Sequence, residues 1–326
     1  MSLVVLLGAG MILIVLSADY FTNGVEWLGF RLQLGEGVSG SLLAALGTAL
    51  PETLVPLMAF IAGSQGQTEA IGLGAVLGAP FMLATLGFSI IGLGVWASGR
   101  KKEGLKVSPR ALLGDLRFFL MSFGLAILAA FLPRFTHPWI ALVLVLSYVF
   151  HAWQLIRGGH LDEDPSAPEQ PLHLSSRQHP PMLLIIVQVA VALLGLIVGA
   201  HFFVTALERA TGWIRISGFL ISVIVTPLAT ELPEVLNSII WIRRKKDSLA
   251  VGNVTGAMAF QASLVPALGL LMTPWHLSLL QAITAVLAWL AGLWTLTRSR
   301  DGILHISELL GAGLFYILFI LLMIAI

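Results

Sequence analysis

Ten apolar stretches, each long enough to cross a bilayer, constrain this 326-residue sequence more than any other feature. A hydrocarbon core of about 30 Å needs roughly 20 residues of apolar helix. Such stretches run over 2–30, 38–62, 69–97, 112–132 and 137–157, then over 182–208, 216–242, 248–272, 276–297 and 304–326. Inside hydrocarbon every backbone N–H and C=O must find a partner within the protein, so spans of this kind fold as helices. Composition agrees, because 57% of the residues are hydrophobic and only 11% are charged, too few to cover a soluble surface of this size. The expectation is an all-α, multi-pass protein of a cell membrane whose surroundings are the lipid bilayer. A net charge of +1 offers little to nucleic acid, and the absence of cysteine removes disulfides, thiolate metal sites and cysteine nucleophiles together. The first stretch starts like a signal peptide. It lacks a basic n-region, however, and runs into Ala18-Asp19-Tyr20-Phe21 without a small-x-small cleavage pattern, so it is read as the first span.

Lys and Arg set the predicted orientation, since short basic loops stay cytoplasmic. Loops 1-2, 3-4, 5-6, 7-8 and 9-10 carry fourteen of these residues, the opposite side carries Arg134, Arg209 and Arg215, and Arg117 falls at a span end. Both termini are therefore expected outside the cytoplasm and the polar linker 158–181 inside. The linker divides the chain into a first five-span unit, 1–157, and a second, 182–326. The two units repeat each other. Gly47-Thr48-Ala49-Leu50-Pro51-Glu52 returns 182 residues later as Ala229-Thr230-Glu231-Leu232-Pro233-Glu234, and Gly74-Ala75-Val76-Leu77-Gly78 is answered by Gly252-Asn253-Val254-Thr255-Gly256. Because each unit has an odd number of spans, the second must enter the membrane from the opposite side. That makes an inverted-topology repeat of the kind built into secondary transporters.

The duplicated turns carry the chemistry. A proline inside a helix has no amide proton and clashes with the carbonyl four residues back, so Pro51 frees the carbonyl of Gly47 and Pro233 that of Ala229. Next to each break stand a carboxylate and a Thr hydroxyl: Glu52 with Thr48, and Glu234 with Thr230. Freed carbonyls, hydroxyls and carboxylates are the hard oxygen ligands that Na⁺ or Ca²⁺ takes. A charge at the bilayer centre costs roughly 2.5–3.5 kcal/mol or more, and neither span offers a Lys or Arg ahead of the Arg243 cluster to offset it. A kink that merely hides its Glu at an interface is the plain alternative, and the duplication argues against it. Glu231 and Glu234, three residues apart, share a face if the turn stays helical, with Glu52 approaching from the other unit. Three carboxylates that close cannot all stay ionised alone, so either a cation holds them or protons titrate the set as a coupled unit. The bland reading of Glu231 is that it points to the lipid interface or to Arg215.

These units resemble the two alpha-repeats of the calcium/cation antiporter superfamily, the sodium/calcium exchangers and their relatives, whose repeats read G-T-S-L-P-E and then G-N-x-x-G-S-N. The resemblance implies ten spans in two inverted five-helix repeats, with the first and sixth spans sliding against a core of the second, third, seventh and eighth. It implies secondary active exchange of Ca²⁺ or another cation against H⁺ or Na⁺ at a midplane site. By motif position, Thr48, Glu52, Thr230 and Glu234 match the ion-binding residues, Glu52 and Glu234 foremost as metal ligands, with Asn253 and Gln261 matching positions in the eighth span. The departures are informative. In the third span Ala75, Ala79, Pro80 and Leu83 stand where polar ligands belong; Ala257 and Met258 replace the Ser-Asn pair of the eighth; Glu231 replaces a Ser. Such a site implies a changed stoichiometry or a changed ion.

Remaining polar residues carry weaker expectations. Asp19 and His201 occupy equivalent positions ahead of Glu26 and Glu208 and are candidates for a proton relay, or else satisfied pairs at helix ends. Asp115 and Arg117, at the start of a span, are assigned to the interface. Gly74 and Gly78 are read as close helix packing rather than as ligand contacts. There is no zinc-binding H-E-x-x-H and no P-loop, so no cofactor is expected beyond the transported cations, and no enzyme constellation is found. Two other readings stay open: a degenerate member that binds ions or a partner without transport, and a membrane-embedded enzyme.

Overall fold

A computed structural model describes residues 3–31, 50–62, 66–100, 104–107, 109–159, 168, 170–175, 177, 179–214, 217–243, 245, 247–299 and 302–325. Ahead of the polar linker lie α1 (Leu3–Arg31), α2 (Leu50–Ala62), α3 (Gln67–Met82), a π-helical turn (Leu83–Gly87), α4 (Phe88–Ala97), α5 (Pro109–Ala129) and α6 (His137–Gly159). After it come α7 (Met182–Ile214), α8 (Gly218–Thr230), α9 (Leu232–Arg243), α10 (Asp247–Gln261), α11 (Leu264–Met272), α12 (Leu279–Arg298) and α13 (Ile306–Ala325). A two-residue antiparallel ladder, β1 (Leu105–Lys106) with β2 (Ile303–Leu304), is the one departure from all-α among the described residues.

Eight helical stretches are long and apolar enough to cross a membrane, and two shorter apolar helices cover Glu52–Ala62 and Gly218–Pro227. The stretches divide by burial. Thr68–Ala97 and Ala250–Met272 are mostly buried, whereas most residues of Arg134–Leu155 and Ile306–Ile324 are not, so the former make the centre and the latter present their apolar sides outward. Outward apolar surface of this kind suits lipid, which asks for no polar covering.

Both central stretches are interrupted. Pro80 lies inside α3, and the helix passes into the π turn at Leu83, where the Thr85 hydroxyl bonds back to the Phe81 carbonyl. The second breaks after Gln261, with α11 resuming at Leu264. Leu83 and Gln261 are counterparts in the repeat, so the two interruptions fall at the same register. Around this centre, small residues bring backbones together. A Cβ on Gly74 would lie 2.7 Å from the Ser222 Cβ, and one on Gly78 would lie 3.0 Å from the Val223 carbonyl oxygen, so α3 seats directly on α8. This is the packing role expected of the glycine pair. In the same way α1 seats on α7, where a Cβ on Gly10 would meet the Phe203 amide nitrogen at 2.8 Å.

At one end of the bundle the loops are tied. Arg100, just after α4, forms a bidentate ion pair with Asp247 at the start of α10, its Nη1 lying 2.7 Å from Oδ1. The Lys106 amide donates to the same carboxylate at 3.1 Å. Part of the polar linker docks rather than hangs free: Asn23 donates to the Pro171 carbonyl, Trp27 to that of Gln170, and Leu172 is buried against Trp27 and Ile185.

Candidate cation site

The two Leu-Pro-Glu turns place their carboxylates at helix starts. Proline suits the first turn of a helix, where its missing N–H has no intrahelical partner to lose. Glu52 lies in the first turn of α2 and Glu234 in the first turn of α9, where the helix dipole favours negative charge. The seventh expected span is broken as the sequence predicts: α8 stops at Thr230, Glu231 caps it, and α9 begins at Leu232. Ala229 sits in the last turn of α8, four residues before Pro233, which has no N–H to return to its carbonyl. The Glu231 N–H bonds the Pro227 carbonyl at 2.8 Å and its carbonyl accepts from Val235 at 3.1 Å, so the chain keeps its direction across the break.

One carboxylate oxygen from each of Glu52, Glu231 and Glu234 lies within 4.8 Å of the other two, and each residue is 0–1% exposed. Glu231 therefore points into the cluster, not to a lipid interface. Gln261 bonds Glu231 with its Nε2 3.0 Å from both carboxylate oxygens, while its Oε1 has no partner among the described residues. Asn253 donates to the Glu234 carbonyl at 3.1 Å and to the Ser238 hydroxyl at 3.4 Å, and its Oδ1 likewise has no partner among the described residues. Buried amide oxygens left without donors are what a hard cation would take up. Three carboxylates at this spacing, removed from water, need a cation or protons to balance them. The Thr230 hydroxyl bonds the Thr226 carbonyl at 3.2 Å and keeps its lone pairs. On the other side Ala75, Ala79 and Leu83 are buried and contribute no oxygen from their side chains.

Gly47 and Thr48 lie outside the described residues. Asp19 and His201 stand on exposed faces of α1 and α7, and Asp19 is engaged by His173 of the linker, with Nε2 to Oδ2 at 2.9 Å. The structure does not bring these two residues into the cluster.

Asp115, assigned to the interface from its place in the span, is 2% exposed within the protein, bonded by His151 at 3.0 Å and by the Thr255 hydroxyl at 2.7 Å. Here α5 packs against α10 and α6, which helix position alone does not reveal, and Arg117, two residues on, is exposed. Sequence reasoning also passed over Ser222, Thr226 and Ser238. Ser222 donates to the Ile71 carbonyl at 2.7 Å and shares a hydrogen bond of 2.9 Å with Thr226. Their four-residue spacing with Thr230 was the available signal, a hydroxyl stripe along α8.

The family described as Sodium/calcium exchanger protein matches residues 2–156 and 184–325. An uncharacterized membrane protein of Methanocaldococcus jannaschii is 24% identical over 251 residues, covering 76% of this chain and 74% of that one. Among solved structures, an H⁺/Ca²⁺ exchanger, CAX, superposes with a TM-score of 0.81 at 20% identity, covering 98% of this chain and 82% of that chain. A sodium-calcium exchanger soaked with Na⁺ and Ca²⁺ superposes with a TM-score of 0.63 at 19% identity, covering 98% and 97%. At these identities the structural likeness is one of fold.

Proposed function

This chain belongs to the sodium/calcium exchanger protein family, and from that premise we infer that it is a secondary active antiporter exchanging Ca²⁺ against H⁺. The observation that carries the reading is the buried cluster of Glu52, Glu231 and Glu234 within 4.8 Å. An antiporter needs one site that its two substrates occupy in turn. Three carboxylates suit one divalent cation in one state and protons in the other, since either restores charge balance. A set of Na⁺ sites would instead call for the hydroxyls and amides that Ala75, Ala79 and Leu83 replace. Similarity in fold to an H⁺/Ca²⁺ exchanger is consistent with this choice. In the site, Glu52 and Glu234 are the principal ligands. Glu231 is the added acid; Asn253 and Gln261 supply amide oxygens; Thr48, Thr230 and the carbonyls of Gly47 and Ala229 complete the oxygen set.

The short apolar helices at 52–62 and 218–227 complete the eight long spans to ten, arranged as two inverted five-helix repeats over 1–157 and 182–326 with 158–181 as a cytoplasmic linker. Support comes from the loops: those after the third, seventh and ninth spans meet through the Arg100–Asp247 pair and the β1–β2 ladder, as an alternating topology requires. The basic bias then places both termini outside the cytoplasm.

The test is uptake into proteoliposomes holding the purified protein, with Ca²⁺, Mn²⁺, Na⁺, K⁺ and pH gradients imposed in turn. A pH gradient driving Ca²⁺ uptake without Na⁺ is the expected result. Uptake driven only by Na⁺ overturns the choice of coupling ion. The apolar third span favours a second reading, ion binding without transport, and binding with no flux under any gradient would establish that reading instead.

A further inference from the structure

A second buried polar cluster lies outside the cation site and joins three helices. Asp115 on α5 is 2% exposed, His151 on α6 is 8% exposed and Thr255 on α10 is fully buried. His151 donates from Nε2 to the Asp115 Oδ1 at 3.0 Å, and its ring is stacked on Phe118 with centroids 4.3 Å apart, so the imidazole is held flat on α5 and aimed at the carboxylate. The other carboxylate oxygen, Oδ2, accepts from the Thr255 hydroxyl at 2.7 Å. That hydroxyl also lies 3.4 Å from the Gly252 carbonyl of its own helix, a longer contact.

Apolar side chains would pack these helices without the cost of burying a carboxylate in a membrane protein. What a polar contact adds is a fixed rotation, because a short hydroxyl-to-carboxylate bond is lost when the helix turns, whereas an apolar contact slides. The helix concerned is α10. Each residue advances about 100° around a helix, so Thr255 faces roughly opposite to Asn253, two residues earlier. Asn253 and Gln261 reach Glu234 and Glu231 from the front of α10 while Thr255 grips Asp115 from behind. Between Asp247 and Met272 the sequence of α10 and α11 holds no titratable side chain, so Asp115 supplies the charged anchor for this span from outside it.

We propose that Asp115, oriented by His151, is a positioning residue for cation binding: through Thr255 it sets the rotation of α10 and so the placement of Asn253 and Gln261 at the carboxylate cluster. The inference rests on the antiporter reading in one respect, that Asn253 and Gln261 face a bound cation.

Calcium affinity of the purified full-length protein, read by titration and by Ca²⁺-dependent thermal stabilisation, tests it. Thr255→Val keeps the shape and removes the hydroxyl, and should weaken Ca²⁺ binding by roughly tenfold, the scale of one hydrogen bond to a charged group. Thr255→Ser restores the hydroxyl and should bring affinity back near wild type, which a loss of packing would not allow. Asp115→Asn should also weaken binding, and the double variant Asp115→Asn with Thr255→Val should bind no worse than the weaker single one, because both act through the same bond. Wild-type affinity in Thr255→Val, equal losses in the Val and Ser variants, or additive losses in the double variant would each overturn the proposal. If Asp115→Asn does not fold, the Val and Ser pair decides. A wild-type protein that binds Ca²⁺ beside an unaffected Thr255→Val removes this inference alone, whereas a wild type indifferent to Ca²⁺ removes the antiporter reading and this inference with it.

Discussion

Glu231 is one position where the two halves differ, since its counterpart at the 182-residue offset is Ala49. On the proposed antiporter reading, its burial beside Glu52 and Glu234 makes cation binding a competition with protons. A cation needs the carboxylates ionised, so protons held by the empty site leave as it binds, and affinity should rise with pH between about 5.5 and 8.5. Glu231→Ser should flatten that rise by removing one member of the set, while Glu52→Gln or Glu234→Gln should abolish binding; calorimetric titration at several pH values reads both. Affinity independent of pH would show that protons are not the competing species. The same asymmetry separates Gln261 from Leu83. Gln261→Ala removes an amide bonded to Glu231 and should weaken Ca²⁺ binding, whereas Leu83→Ala removes only apolar contact and should leave affinity nearly unchanged while lowering thermal stability.

Elements owe their shapes to where the chain is interrupted. The apolar stretch 216–242 yields two short helices because Pro233 follows a terminating residue by two positions, and the carboxylates gather at that gap. The packing of α3 on α8 depends on bare backbone at Gly74 and Gly78. Gly78→Leu would press a side chain into the Val223 carbonyl and the Pro227 ring, and overpacking of this kind costs about 1–3 kcal/mol. A lower melting temperature is expected, together with weaker Ca²⁺ binding, because α8 carries Thr230 and leads into Glu231. At Gly252 a Cβ would meet nothing within 4 Å, so Gly252→Ala should leave the melting temperature close to wild type and serves as the matched control.

Across the whole molecule, orientation is the property easiest to test. The chain has no cysteine, so a single engineered one reports cleanly. Arg177 is exposed in the linker; Arg177→Cys should resist an impermeant thiol reagent applied to intact cells and react after the membrane is opened. Labelling in intact cells would reverse the proposed topology. The linker is also more than a tether, since Leu172 inserts beside Trp27 and Ile185 while His173 reaches Asp19. Its docking joins the ends of α1 and α7, the helices whose glycines already bring their backbones into contact.

The multi-span helical architecture was legible in the sequence because lipid imposes a length and a polarity on every crossing, and both are local properties of the chain. The break near Pro233 was legible for the same reason: a missing amide proton acts within one turn. Duplication made Glu52 and Glu234 visible as a pair, and the two glycines announced a close approach before any partner was known. Which side chains actually meet was settled only by tertiary packing. Asp115 reads as an interfacial residue from its place near the start of a helix, and only packing shows that Thr255 and His151, 140 and 36 residues away, enclose it. Asp19 reads as a relay or as a satisfied pair at a helix end, and only packing shows that a residue of the polar linker, 154 positions on, engages it. Hydrophobic spacing tells a helix that it must be buried or face lipid, but it does not say which neighbour covers which face. That depends on the simultaneous packing of helices far apart in the chain, whose contacts leave no periodic mark on either sequence.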